Sequence, residues 1–182
     1  MRYFLRGRYP DVSSILLIES GSRSIVERVV YSLRRGYGDD IPIDIVSCFA
    51  AQPEGFDERT RVYRVSDFRG REGRRKLYRE LAAHRYPVMG IVCSGEPLMT
   101  KWKLALAWQV PAKIFIINEN ADFFWLDLAH SRQIRRFVLF RAGLAGAGAV
   151  RTLARAVSFP FTLFYLLLYA SVIHARRAFR RG

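Results

Sequence analysis

The sequence predicts an α/β fold: an open, doubly wound (Rossmann-like) parallel sheet of about five strands, followed by an amphipathic helix and a C-terminal membrane helix. Short runs that are apolar throughout, such as Ile15-Leu16-Leu17-Ile18, recur along the chain up to Ile117. Strands buried on both faces read this way. Stretches of helical period separate these runs, which is the alternation of βαβ units. Finally, residues 156–173 read AVSFPFTLFYLLLYASVI, without one charge.

The first strand is Ser14 to Ile18, and Ser20-Gly21-Ser22 turns the chain. A helix over 24–35 follows, with Ile25, Val29 and Leu33 at helical spacing and Gly36 and Gly38 stopping it. Residues 41–49 make a second strand, residues 50–60 a polar loop and residues 61–65 a short third strand. A strongly basic helix over 70–84 turns Leu77, Leu81 and Ala82 inward. A fourth strand covers 87–93, a helix covers 97–109 with Pro97 at its first position, and a fifth strand covers 112–117. Trp102 and Trp108 read as packing residues. Phe123, Phe124 and Trp125 form an aromatic block, either a hydrophobic lid or an interfacial anchor.

Charge divides the chain. It has 182 residues, with 30 basic against 16 acidic side chains, and the last carboxylate is Asp127. Beyond it stand only arginines, from Arg132 to Arg181, among Leu, Phe and Tyr. An acid-free, arginine-flanked apolar run points to anionic lipid, each basic group near the surface contributing roughly 1 kcal/mol. Nucleic acid is not the expected partner, because its sites set basic residues on a folded face among polar neighbours. The expected organisation is an α/β domain over 1–127, a basic amphipathic segment over 128–155 and a membrane helix with a basic tail over 156–182. The amphipathic stretch, His130 to Val150, suits a helix lying on a membrane. The glycines of GLAGAG suit either close helix packing or a joint.

Eighteen apolar residues reach about 27 Å, near the ~30 Å of a hydrocarbon core. Both flanks are basic and Pro160 interrupts the run, so spanning and re-entrant arrangements both remain open. The N-terminus lacks a signal-peptide apolar region, which places the α/β domain in the cytoplasm. Cys48 and Cys93 read as reduced core thiols. With three histidines and no ligand spacing, neither a metal nor a cofactor is expected.

Ligands of such sheets sit outside the C-terminal ends of the strands. The first turn lacks a dinucleotide fingerprint, since only Gly21 is present. Ser20, Gly21, Ser22 and Arg23 nevertheless suit a phosphate or a sugar hydroxyl at a helix N-terminus, and Ser22 or Ser24 equally suits a helix cap. Ser94, Gly95 and Glu96 follow the fourth strand, with Thr100 and Lys101 on the next helix's first turn. Asn118, Glu119 and Asn120 follow the fifth strand and suit either sugar hydroxyls or a self-closing turn.

The run from SSILLIE through IPIDIVS, HRYPVMGIVCSG and KWKLALAWQVPAKIFIIN resembles the N-terminal half of heptosyltransferase-like glycosyltransferases of the two-domain (GT-B) class, over about residues 13–120. That family carries a Gly-Asp pair after the first strand, the Asp serving as base. Ser24-Ile25 stands near that place here, and Glu19 is the nearby carboxylate. The family's nucleotide-sugar half has no counterpart in this chain. The resemblance therefore implies an acceptor-side half in glycan or lipopolysaccharide assembly, meeting membrane lipid and a lipid-linked acceptor and completed by a donor-binding partner subunit. Glu19 or Glu96 would be its base. The alternative expectation is a non-enzymatic, membrane-bound scaffold or regulatory subunit.

Overall fold

In the computed structural model, residues 9–57, 59–96, 98–144 and 148–179 are described. Pro97, Gly146, Arg180 and Arg181 lie outside them. The order is β1 (Ile15–Glu19), α1 (Arg23–Tyr37), β2 (Ile43–Ser47), β3 (Val62–Arg64), α2 (Gly70–Ala83), β4 (Val88–Val92), α3 (Thr100–Gln109), β5 (Lys113–Ile117), β6 (Phe123–Trp125), α4 (Ser131–Arg141) and α5 (Gly148–Phe179).

The six strands form one sheet in the order β3-β2-β1-β4-β5-β6. All neighbours are parallel except β5 and β6. Every residue of β1, β2, β4 and β5 is buried, the apolar runs together with the polar Glu19, Asp44, Ser47 and Lys113. On one sheet face, Ile25, Val26, Val29, Val30 and Leu33 of α1 cover Ile15, Leu17, Ile43, Ile45 and Val88. Each side chain fully withdrawn from water there contributes roughly 1.5–3 kcal/mol. Gly90 gives Phe115 its place on this face, since a Cβ at 90 would lie 2.5 Å from the Phe115 ring and 2.7 Å from Leu17. Elsewhere, the positive φ of 103° at Gly38 ends α1.

The sixth strand corrects the reading of residues 123–125. The aromatic block is itself a strand: Phe123 and Trp125 pair antiparallel with Ile117 and Phe115. Their rings meet Phe115 edge-on at 5.7 and 5.6 Å. Cys48 is exposed and Cys93 half-buried, so neither is a core thiol. Trp102 packs edge-on against Tyr78 at 6.1 Å, but Trp108 is 71 % exposed.

The chain divides into two units, Met1–Gln133 and Ile134–Gly182. In the second, the expected single helix over 130–150 is interrupted. Gly143 takes φ 67° and its N–H donates to the Phe140 carbonyl, ending α4. Helix α5 then runs 32 residues with Pro160 inside. Among the described residues no helix is long and apolar enough to cross a membrane, so the C-terminal membrane helix is unsupported.

Candidate functional site

The strand order reverses direction between β1 and β4, and a crevice opens outside the carboxyl ends at such a point. Glu19 closes β1 at that position and is paired in register with Ser47, the last residue of β2. Its side chain is 0 % exposed, and neither carboxylate oxygen completes a hydrogen bond. Burial pushes its pKa up, while the Ser47 hydroxyl and the Arg23 guanidinium pull it back without cancelling the rise. Arg23 Nε stands 3.9 Å from Glu19 Oε1, and another Arg23 nitrogen donates to the Ala51 carbonyl at 2.7 Å.

The turn after Glu19 is pressed onto the end of β4. Ser20 Oγ donates to the Val92 carbonyl at 2.6 Å, and Lys103 Nζ donates to the same oxygen at 3.3 Å. A Cβ at Gly21 would meet Ser94 Oγ at 2.3 Å and Ser94 Cβ at 3.0 Å, so glycine permits the approach. Ser94 Oγ is buried there without a partner. Ser22 begins α1 without a side-chain cap bond and instead meets Ser24 Oγ at 3.0 Å. The structure thus brings together Glu19, Ser20, Gly21, Arg23 and Ser94. Ser47 and Lys103 join them, and neither was singled out from the sequence. Only parallel register could have placed Ser47, since it is otherwise one of many serines at a strand end.

A loop over 49–55 is tied down beside this cluster. Arg23 holds Ala51, Arg64 Nε donates to the Ala50 carbonyl at 3.1 Å, and Glu27 Oε1 accepts from Glu54 N–H at 3.1 Å. Gly95, Glu96, Thr100 and Lys101 are all exposed. Met99, with φ 53°, precedes α3, which begins later than its expected start at Pro97.

The residues after β5 behave as a turn. Asn118 Oδ1 accepts from the N–H groups of Asn120 and Asp122 at 2.9 and 3.0 Å, and Ala121 takes φ 65°. Asn118 therefore closes its own hairpin onto β6. The Glu119 carbonyl accepts from Arg28 of α1 at 3.3 Å, while Asn120 is exposed.

Two other buried polar groups lie away from Glu19. Lys113, at the start of β5, is fully buried with its Nζ 3.0 Å from Asp127 Oδ2 and 4.1 Å from the centre of the Tyr9 ring. His130 Nδ1 lies 2.7 Å from the other Asp127 oxygen. Burial pushes the Asp127 carboxyl up, but the bonds from His130 and Lys113 outweigh it and hold the pKa below the usual range. On the opposite sheet face, Tyr86 donates to Asp44, which also accepts from the Arg61 N–H at 2.9 Å. Burial first, and then the Asp44 carboxylate, drive the Tyr86 pKa upward. Among the described residues no group of His, Cys, Asp and Glu is arranged to hold a metal ion.

No protein-family model matches the chain, nor does any curated protein or solved structure.

Proposed function

We propose that the chain is a membrane-anchored, cytoplasm-facing component of glycan or lipopolysaccharide assembly. It would work as the acceptor-side half of a glycosyltransferase beside a donor-binding subunit. One observation carries this reading: a buried carboxyl of raised pKa, Glu19, stands at the point where the sheet reverses its winding. A raised pKa brings a carboxylate nearer the operating pH, where a general base works best. In this reading Glu19 takes the proton of an acceptor hydroxyl as its oxygen bonds to the sugar's anomeric carbon. The nucleotide phosphate leaves with the bonding electrons. Arg23 orients the carboxylate, and Ser94 Oγ is a spare partner for the acceptor.

The membrane part of the reading is supported by α5. Phe159, Phe161, Phe164, Leu166 and Leu167 are each more than half exposed. Apolar side chains around a helix of this kind need lipid or a partner to cover them.

The test uses membranes holding the chain with its native partners, supplied with radiolabelled nucleotide sugars. Label is counted in the lipid extract. Chain-dependent label is expected, and Glu19→Gln should lower it by about 100-fold or more. Unchanged transfer by Glu19→Gln would remove Glu19 as the base.

A second reading, a non-enzymatic scaffold, is favoured by one feature. Glu19 and Ser20 are both 0 % exposed, and three side-chain contacts strap the neighbouring loop. Absence of any chain-dependent transfer, together with purification free of glycan enzymes, would favour it.

A further inference from the structure

Helix α2 turns Leu77 and Leu81 to the core and leaves Arg71, Arg74, Arg75 and Arg79 exposed. Positions 71, 75 and 79 are four apart, and 74 adjoins them, so the guanidinium groups form one stripe. With Tyr78 and Gln109 they line an open groove of about 910 Å³, in which Glu72 is the sole carboxylate among the described residues. Among the described residues none of the four arginines pairs with a carboxylate. Like charges at such spacing disfavour an isolated helix. An anion laid along the stripe removes that repulsion.

The neighbouring helix supplies the other half of the surface. Leu104 and Trp108, four apart on α3, are 69 % and 71 % exposed, and Gln109 beside Trp108 reaches the groove. The Trp102–Tyr78 edge contact joins the two helices. Arginines that grip phosphate beside apolar and indole side chains suit the headgroup level of a bilayer. A nucleic-acid face would instead set polar residues among its basic ones.

We propose that this α2–α3 face is a docking surface for an anionic phospholipid bilayer, so that the α/β unit makes its own membrane contact in addition to α5. The inference rests on the membrane reading above. Its chemistry is phosphate bound by Arg71, Arg74, Arg75 and Arg79, with Leu104 and Trp108 entering the headgroup region.

Hydrogen exchange of the full chain on vesicles separates the two ideas. Vesicles of phosphatidylcholine alone are compared with vesicles containing one third phosphatidylglycerol. Peptides of α5 report the anchoring, peptides of α2 and α3 report this surface, and β1 reports the fold. Expected are protection of α5 on both vesicles, and slowing of α2 and α3 by about fivefold or more on phosphatidylglycerol only. The slowing should disappear in half-molar salt, as surface electrostatics do. It should also disappear in the Arg74→Ala/Arg75→Ala/Arg79→Ala chain with β1 unchanged. Trp108→Ala, which leaves the arginines in place, should reduce the slowing in part. Protection of α5 with none in α2 overturns this proposal and leaves the membrane reading standing. No protection of either overturns both. Equal protection of α2 on the two vesicles, or protection by single-stranded RNA in detergent without protection by phosphatidylglycerol, also overturns it.

Discussion

Glu19 shows how a single side chain acquires character that its residue type does not announce. Among 16 acidic residues its position after an apolar run marks it as a candidate base at a strand end, without showing its burial. Parallel pairing with β2, and the turn pressed onto β4, seal it from water. Because folding raises its pKa, the folded state binds the proton more tightly than the unfolded state does. Its contribution to stability is therefore complete below the unfolded pKa and is lost as pH rises through the folded one. Glu19→Gln, which never ionises, is expected to melt above the parent at pH 7 and to converge with it in acid. The difference at pH 7 should be about 1 kcal/mol or more, the order of an unsatisfied buried polar group. Melting curves across pH 3–8 measure this, and a variant less stable at pH 7 would show that the carboxylate is held by contacts. Ser94 was legible as a candidate by its place after β4, whereas Ser47 was not, because register decides which strand ends are neighbours.

At the scale of elements, hydrophobic period located the helices α1 and α2 and the four fully buried strands within a residue or two. It failed at β6, where the three residues Phe123–Trp125 are too few to show an alternation. What holds this short strand is tertiary: the Asn118 turn, the Phe115 ring and the Lys113–Asp127 pair just beyond it. Asp127→Ala leaves the Lys113 ammonium buried without its carboxylate, and a loss of about 3–5 kcal/mol is expected. The double change Lys113→Met/Asp127→Leu should lose much less, since it removes both charges together. Urea denaturation of the three chains gives the comparison, and equal losses in the single and double variants would place the effect in packing. The interruption at Gly143 was likewise hidden, because the glycines of the GLAGAG stretch allow a joint and a close packing face equally.

The whole molecule has two kinds of surface. The α/β unit buries a core of apolar side chains between the sheet and its helices and exposes a few, Leu104 and Trp108 among them, while the second unit leaves a run including Phe161, Phe164 and Leu167 in the open. The asymmetry of charge, with every carboxylate before Leu128, runs alongside this division. Replacing Leu166, Leu167 and Leu168 by serine should lower partition onto vesicles by more than about 100-fold, from the apolar burial lost. The near-ultraviolet circular dichroism of the α/β unit should not change. Vesicle flotation checks the first expectation, and undiminished flotation would show that α5 is covered by protein and not by lipid.

Local features of the chain were enough to read the α/β class, the parallel sheet, the helices between its strands and the division between a mixed-charge domain and an arginine-only tail. Period, turn residues and charge are local properties, and a linear reading captures them. Tertiary structure decided the order β3-β2-β1-β4-β5-β6, the meeting of Glu19 with Ser47 and Arg23, the exposure of Trp108 and the conversion of Asn118 to turn closure. Those outcomes depend on which strands become neighbours and which faces are covered. Contacts between residues far apart in the chain set both, and no local pattern encodes them.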